Sequence, residues 1–121
     1  MQETAQGEPF IQLILPFDRA WASVGRALVK STFEVTDRDR SSGVYYARFL
    51  GPEAEEEDGW FDWLWDSDEE YPHVGETFIV SVDAQEQGGV FIFLRSQPDE
   101  TRSFEKRDQQ AMLGLIKGNI N

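Results

Sequence analysis

Acidic side chains are the groups in this sequence most able to do chemistry, and they are concentrated in one stretch. Ten of the 23 aspartates and glutamates lie between Glu53 and Glu70, together with three of the four tryptophans. No lysine or arginine occurs between Arg48 and Arg95. Two carboxylates at a suitable separation can act as the acid and base of a hydrolase. A cluster of ten, however, identifies no particular pair.

The other residue types that serve in catalysis form no recognisable arrangement. The one histidine, His73, follows a proline and is expected to be a turn residue. Ser41 and Ser42 have no base at a predictable distance, and the absence of cysteine excludes thiol catalysis and zinc–thiolate sites. None of the common nucleotide-binding, zinc-protease or serine-hydrolase motifs occurs. We therefore predict a protein that is not an enzyme and that has no cofactor.

A calcium site is the strongest metal hypothesis. The run DSDEE, which starts at Asp66, begins like a loop of alternating oxygen ligands. An EF-hand loop would need glycine at its sixth position and glutamate at its twelfth. Those positions hold Tyr71 and Thr77. We therefore predict a solvated acidic loop here and no metal site.

Charge excludes two classes of partner. The net charge is −12, but outside the acidic stretch 13 acidic residues face 11 basic ones, so the rest of the chain is nearly neutral. Nucleic-acid binding needs a dense basic surface, which is missing, and an anionic lipid surface would repel the acidic stretch. The sequence begins without an apolar leader and has no run of about 18 apolar residues, so we expect a soluble chain.

Hydrophobic periodicity predicts strands and two amphipathic helices. In the first helix, apolar residues recur at spacings of four, three and four, opposite a basic face, and Asp18 is predicted to be its N-cap. The second is predicted to end at Gly118. The predicted strands cover residues 10–15, 32–37, 44–50, 76–83 and 90–96, and the predicted helices cover residues 18–31 and about 103–118.

Successive hairpins with helices on one face predict an α+β fold in the order β-α-β-β-β-β-α. The 121 residues suit one domain, since single domains commonly have about 100–150 residues. We expect a flexible stub at residues 1–8, a domain over residues 9–118 and a tail at residues 119–121. The connection over residues 51–75 is too long for a simple loop and is interpreted as an acidic, aromatic insertion.

Two arginines in the DRDR run are candidate contacts for a partner. In an extended segment Arg38 and Arg40 would lie on one side, with Asp37 and Asp39 on the other. The simpler interpretation is turn chemistry with cross-strand ion pairs, each worth about 0–1 kcal/mol. The alternative is an arginine fork that binds a partner's carboxylate.

The segment GWFDWLW allows three interpretations. It could fold back over an open edge or end of the domain's own sheet, because burying each large ring contributes about 1.5–3 kcal/mol. It could instead anchor a partner, with the acids steering a basic surface, or lie at a membrane interface, which the acids oppose. The candidate partner-binding residues in it are Trp60, Phe61, Trp63, Leu64 and Trp65.

One combination of segments resembles a known family. LPFDRAWASVGRALVKS, FEVTDRDRSSG and VYYARF, followed by two more strands and a closing helix, are similar to the C-terminal domain of BamC (NlpB) proteins. These are lipoproteins of the bacterial machine that assembles β-barrels in the outer membrane. The resemblance covers nearly the whole chain. It implies a helix-grip fold, in which a curved antiparallel sheet holds a helix.

The resemblance also implies an accessory role with the other subunits of the β-barrel assembly complex. It implies outer-membrane association through a lipid anchor outside this fragment, with the domain in the periplasm or at the cell surface. The lipid-bearing cysteine and the extended segment by which such proteins grip an essential partner lipoprotein are absent here. We expect a non-catalytic protein-interaction module and, by default, a monomer. The alternative is a helix-grip carrier of a small apolar ligand. Little space for a ligand is expected, because the interior should be filled by Trp21, Phe33, Phe78, Phe91 and Phe93.

Overall fold

The structure is a computed structural model of the chain, and it describes residues 2–50, 75–97 and 106–120. Within this part of the chain, six strands form one antiparallel sheet in the order β1-β2-β6-β5-β4-β3, and two helices are present. The strands are β1 (Gln2–Glu3), β2 (Pro9–Leu13), β3 (Phe33–Asp39), β4 (Val44–Phe49), β5 (Thr77–Ala84) and β6 (Val90–Ser96), and the helices are α1 (Phe17–Lys30) and α2 (Lys106–Gly118).

Both helices pack on one face of the sheet, and this interface is the hydrophobic core. Helix α1 contacts β3, β5 and α2, whereas α2 contacts β2 and β6. Alternate residues of each central strand point into this interface, as the period of two requires. The predicted α+β fold is confirmed. Fully or nearly fully buried residues of the core include Val24, Leu28, Phe33, Phe49, Phe78, Val80, Ile92, Leu94, Met112 and Ile116.

Helix α1 begins at Phe17, so the prediction that Asp18 is its N-cap is wrong. The preceding residue, Pro16, has an extended backbone with φ −61° and ψ 156° and makes no side-chain capping bond. Its carbonyl accepts the first helical hydrogen bond, from the Ala20 amide at 3.0 Å. The earlier start places Phe17 one turn before Trp21, and their rings stack with centroids 5.8 Å apart. Packing of this pair fixes the first helical residue.

The face of the sheet away from the helices carries a second aromatic cluster. Phe10 stacks on Phe91 with ring centroids 4.3 Å apart and lies 5.6 Å from Phe93. The prediction that Phe91 and Phe93 fill the interior is therefore wrong. Their strand neighbours Ile92 and Leu94 take that position instead. Strand β2 is therefore buried on both faces at Phe10 and the next residue, as expected for a segment that is apolar at nearly every position.

Strand β1 adds a pairing that the sequence analysis did not assign. Gln2 lies opposite Phe10 and Glu3 opposite Pro9. Glu3 also forms an ion pair with Lys106 of α2, 2.9 Å between oxygen and nitrogen. A two-residue polar strand has no hydrophobic period, so pattern reasoning had no signal for it.

Candidate partner-binding surface

The predicted site residues fall in two groups, and the structure describes one of them. The tryptophan-rich group lies in residues 51–74, outside the described part of the chain. The prediction for this group stays a prediction; its members are Trp60, Phe61, Trp63, Leu64 and Trp65. The other group, Arg38 and Arg40, lies where β3 runs into its turn with β4.

A β-bulge in β3 decides which way these arginines point. Val35 pairs with Ala47, but the next pair along the strand is Asp37 with Tyr46, so Thr36 is an extra residue in β3. A bulge of this kind reverses the faces of all later residues of its strand. Arg38 is consequently opposite Tyr45, whose side chain faces α1. Without the bulge, the alternation that buries Phe33 would carry Asp37 towards α1 instead.

Arg40 is held by α1. Its guanidinium forms an ion pair with the carboxylate of Asp18 in the first turn of the helix, and it lies 6.0 Å from the centroid of the Phe17 ring. An acidic residue in this turn is favourable because of the helix dipole. The pair is solvent-exposed, so its contribution is about 0–1 kcal/mol. Arg40 thus connects the β3–β4 turn to the start of α1.

Asp39 organises the turn between β3 and β4. Its carboxylate accepts hydrogen bonds from the Ser41 hydroxyl at 2.7 Å and from the Ser42 hydroxyl at 3.0 Å. These bonds, with the Ser42 amide, hold the pKa of Asp39 below its ordinary value. Gly43 closes the turn with φ +71°, and a Cβ there would lie 2.7 Å from the Val82 carbonyl oxygen. The expected turn chemistry is present, but the ion pair of this run connects Arg40 to Asp18 of α1 and not to a neighbouring strand.

Arg38 lines a groove on the outer side of α1, which we call the α1 groove. The groove has a volume of about 580 Å³ and is open to solvent along one side. Its apolar and aromatic residues come from α1 and β4, and its basic residues come from α1 and β3. The lining residues are Trp21, Ala22, Gly25, Arg26, Val29, Lys30, Arg38 and Tyr45.

The floor of the α1 groove is a stacked pair of rings. Trp21 and Tyr45 lie with centroids 4.0 Å apart and an angle of 17° between their planes. The Tyr45 hydroxyl donates a hydrogen bond to the Trp21 carbonyl oxygen at 2.8 Å. Burial raises the pKa of Tyr45, while the nearby positive charges of Arg38 and Arg40 oppose that effect. The ring therefore stays neutral and fixed against the helix.

Gly25 makes this close packing possible. A Cβ at this position would lie 2.6 Å from the Tyr45 hydroxyl oxygen and 3.2 Å from the ring carbon that bears it. Only a residue without a side chain lets the ring lie this near the helix backbone. A glycine in a helix interior otherwise costs about 1 kcal/mol relative to alanine. The helix accepts that cost at the centre of the groove.

Val29 and the basic residues form the rim of the α1 groove. Val29 is 66% exposed, whereas Val24 and Leu28 of the same helix are fully buried. A smaller groove of about 360 Å³ adjoins the first and shares Arg26 and Ala22 with it. The spacing of apolar residues in α1 predicted the basic face of this helix. It did not associate that face with Arg38, because the bulge has no clear signature in the sequence.

The described residues contain neither a candidate metal site nor a candidate membrane-spanning helix. Among residues 2–50, 75–97 and 106–120, no group of three or more histidine, cysteine or acidic side chains is placed to hold a metal ion. Neither α1 nor α2 has the length and apolar character that a membrane-spanning helix needs.

Similarity to known proteins agrees with this architecture. The family described as "Outer membrane protein assembly factor BamC-like C-terminal domain" matches residues 1–113. A protein of Thiobacillus denitrificans named "Outer membrane protein assembly factor BamC" is 45% identical over 49 residues, which are 40% of this chain and 13% of that protein. A protein of the same name from Accumulibacter regalis is 42% identical over 57 residues, or 47% of this chain and 15% of that protein.

A third protein of that name, from Pseudoalteromonas atlantica, is 38% identical over 53 residues, which are 44% of this chain and 13% of the relative. These matches therefore span only a small part of the length of the curated relatives. The family match, in contrast, covers all the elements from β1 to the middle of α2. By this match the chain belongs to the family of BamC-like C-terminal domains of outer membrane protein assembly factors.

Proposed function

We propose that this domain is a non-catalytic protein-interaction module that takes part in the assembly and insertion of β-barrel proteins into the outer membrane. The observation that carries the proposal is the family match over residues 1–113. The relatives that match parts of the chain are named as outer membrane protein assembly factors. The domain would act by binding other subunits of the assembly complex, and it would itself be a monomer.

The architecture is suited to binding rather than to catalysis. A rigid sheet with helices on one face presents fixed surfaces, and the α1 groove combines exposed apolar area with basic side chains. Interfaces of this kind take most of their affinity from a few aromatic and arginine contacts. The proposed location is the outer membrane, with a lipid anchor in a part of the protein outside this fragment and the domain in the periplasm or at the surface.

The tryptophan-rich segment is proposed as a second contact. Trp60, Trp63 and Trp65 are of the residue type most enriched at binding hot spots, and Phe61 and Leu64 would extend the apolar surface. The surrounding acids would steer a basic partner and keep the segment soluble. Replacing Trp63 by alanine is the direct test, with binding to the assembly complex as the measurement.

A carrier of a small apolar ligand was the alternative function, and the described interior gives it no support. A carrier needs an enclosed apolar cavity, commonly of about 300 Å³ or more. Beneath α1, however, Val24, Leu28 and Phe78 are 0% exposed and pack in one continuous cluster. The grooves described above lie at the surface, along the flank of α1, and are open to solvent.

Co-purification tests the proposed function. The full-length protein with an affinity tag should bring down the β-barrel assembly complex from detergent-solubilised outer membranes. The matched control is the same protein with this domain deleted, which should recover less of the complex. Equal recovery by the two proteins would show that the domain is not an interaction module of that complex.

A further inference from the structure

Three basic residues around the α1 groove have no acidic partner within the part of the chain that the structure describes. Arg26, Lys30 and Arg38 form no ion pair there, although Arg26 makes a 3.4 Å hydrogen bond to the Ser23 hydroxyl. Four of the other basic residues are paired: Arg40 with Asp18, Arg48 with Glu34, Arg95 with Glu8 and Lys106 with Glu3. Arg26, Lys30 and Arg38 differ from a single exposed cation such as Arg107 because all three line one groove. In a protein of net charge −12, three neighbouring unpaired cations form a distinct positive site.

The site combines these charges with apolar surface. Trp21 and Tyr45 form the floor, and the 66% exposed Val29 lies at the rim. A ligand that matches both features needs an apolar group for the floor and negative charges for the rim. An amino-acid side chain such as leucine or tryptophan, with carboxylates on either side of it in the sequence, has this chemistry. The volume of about 580 Å³ can hold one such side chain and part of its backbone.

The position of the groove at the sheet edge sets how such a segment lies. Among the described strands, β3 lies at an edge of the sheet, and an unprotected edge would invite a partner strand. The bulge at Thr36 interrupts its ladder, and the acidic side chains of Glu34, Asp37 and Asp39 are exposed along it. These are the features that prevent strand addition. An acidic segment is expected to lie along α1, between Lys30 and Arg38, without forming a strand pairing with β3.

Charge also selects between classes of anionic ligand. A nucleic acid or an anionic membrane presents many charges over a wide surface, and the ten acids between Glu53 and Glu70 would be repelled by it. A short peptide segment carries few charges and meets only the groove. The field of Arg26, Lys30 and Arg38 at close range then outweighs the net charge of the chain, which is screened beyond about 8–10 Å.

We propose that the α1 groove is a docking site for an extended segment of a partner protein that carries one aromatic or aliphatic anchor between carboxylates. This inference rests on the proposed function, because it names the kind of partner that the interaction module recognises. Arg38 and Lys30 bind the carboxylates, and the anchor packs on Trp21 and Val29. The bulge at Thr36 is part of the site, since it turns Arg38 towards α1.

A peptide titration tests the proposal on the 121-residue chain. The probe is the synthetic peptide acetyl-EDWLDE-amide, and its control is acetyl-KKWLKK-amide. Binding is followed by amide shifts in ¹⁵N NMR spectra, which should move at Gly25, Val29 and Arg38. For a short peptide we expect a Kd on the order of 100 µM, about tenfold tighter than the lysine peptide and weaker at higher salt. Equal affinity for the two peptides would overturn the proposal.

Charge reversal at the groove supplies the matched variants. Arg38→Glu should weaken binding of the acidic peptide about tenfold, and Val29→Ser about threefold. Arg107→Glu makes the same charge change at an exposed position of α2, away from the groove, and should change the affinity less than about twofold. Equal effects of Arg38→Glu and Arg107→Glu would mean that the peptide responds only to overall charge, which contradicts a groove site.

Other occupants of the groove give different results. Sedimentation that shows a dimer of the chain, dissociated by Arg38→Glu, would mean that a second copy fills the groove and would overturn the partner proposal. Peptide binding that strengthens about tenfold or more when residues 53–70 are deleted would assign the groove to the chain's own acidic segment, with the same consequence. Failure of the peptide with intact co-purification removes this inference but leaves the proposed function in place.

Discussion

Basic side chains lie near aromatic rings at two places in this domain, and the two places differ in their carboxylates. On the outer face of the sheet, the Arg95 guanidinium lies 4.6 Å from the centroid of the Phe93 ring. Glu8 accepts two hydrogen bonds from it, at 2.8 and 2.9 Å. In the α1 groove, Arg38 lies beside Trp21 and Tyr45, and the described residues supply it with no carboxylate.

The presence or absence of a carboxylate distinguishes basic side chains that stabilise the fold from basic side chains that could bind a partner. A bidentate arginine–carboxylate pair over a ring is complete within the chain, and it connects the segment before β2 to β6. The α1 groove has the ring floor and the basic rim but not the anion. Around Arg95 the chain supplies its own carboxylate, whereas around the α1 groove the described residues leave three basic side chains without one. The Arg95–Glu8 pair is thus a completed site, and the α1 groove is a site that is open to a partner.

Removing the floor of the α1 groove should have the largest effect, because the floor is also part of the core. Tyr45 is 3% exposed, and truncation of a buried aromatic side chain costs about 3–5 kcal/mol. We expect Tyr45→Ala to lower the free energy of unfolding by about 3 kcal/mol in urea denaturation. The matched control is Tyr46→Ala on the opposite face of the same strand, where the side chain is only partly buried. A comparable loss in both variants would mean that Tyr45 has no special packing against α1.

The substitution Gly25→Ala tests the contact between α1 and the Tyr45 ring. Two opposing effects on the stability of the domain are expected. Alanine is favoured over glycine in a helix by about 1 kcal/mol, but its Cβ would lie 2.6 Å from the Tyr45 hydroxyl oxygen. Because the Tyr45 ring is buried and hydrogen-bonded to Trp21, it has little room to move. We expect Gly25→Ala to destabilise the domain by about 1 kcal/mol.

A double-mutant cycle identifies the cause of that loss. Tyr45→Phe removes the oxygen atom that Gly25→Ala would contact. The cost of Gly25→Ala should therefore shrink in the Tyr45→Phe background, as measured by the midpoint of urea denaturation. Gly114 of α2 is the control position, since a Cβ there would meet no atom within 4 Å. A stabilising Gly25→Ala would show that the ring and helix are not in close contact.

The sequence predicted the elements of this domain better than the site they form. Strict alternation in β4 correctly separated Tyr45 and Phe49 from Tyr46, and the helical spacing correctly identified the buried face of α1 around Trp21. Alternation and helical spacing are local patterns, so the buried face of a strand or helix can be predicted from them without knowledge of the tertiary structure. They also sufficed for the α+β class, because hairpins follow one another along the chain.

The site depends on features that local periods do not contain. The extra residue at Thr36 changes the face of Arg38, but its side chain and neighbours look like those of any exposed strand. Arg38 and Arg40 looked equivalent in the DRDR run. They differ because Arg40 reaches Asp18 across 22 positions of sequence. Phe93 was assigned to the interior because an apolar run does not reveal which face of the sheet each residue joins.

The stability that the Arg95–Glu8 pair contributes on the outer face should decrease as the pH is lowered. Hydrogen bonding to Arg95 holds the pKa of Glu8 below its ordinary value of 4.5, which partial burial opposes. The lowered pKa means that the folded state binds a proton at Glu8 more weakly than the unfolded state does. The pair therefore contributes stability above about pH 4.5, and this contribution is lost as the pH falls through the lower folded pKa.

The variant Glu8→Gln isolates that contribution. At pH 7 it should be less stable than the parent by about 0.5–1 kcal/mol, because both partners are partly exposed and solvent screens the pair. The difference should shrink as the pH falls below about 4.5 and through the lower folded pKa of Glu8. Burial raises the pKa of Asp83 nearby, and the charge of Glu8 adds to that rise, so Asp83 gives a trend of the opposite sign that becomes smaller in Glu8→Gln. A difference that does not change between pH 7 and pH 3 would contradict a charged pair.

The smallest expected effect distinguishes the two arginines of the DRDR run. Arg40→Gln breaks the exposed ion pair with Asp18 and should cost about 0.5 kcal/mol, and this cost should fall when salt screens the pair. Arg38→Gln removes no ion pair within the described residues, so the free energy of unfolding should stay within about 0.3 kcal/mol of the parent. The acidic peptide should show the reverse order, with Arg38→Gln weakening binding more than Arg40→Gln. A loss of stability at Arg38 equal to that at Arg40 would place Arg38 in the fold's own contacts, and the distinction between a completed site and an open one would no longer hold.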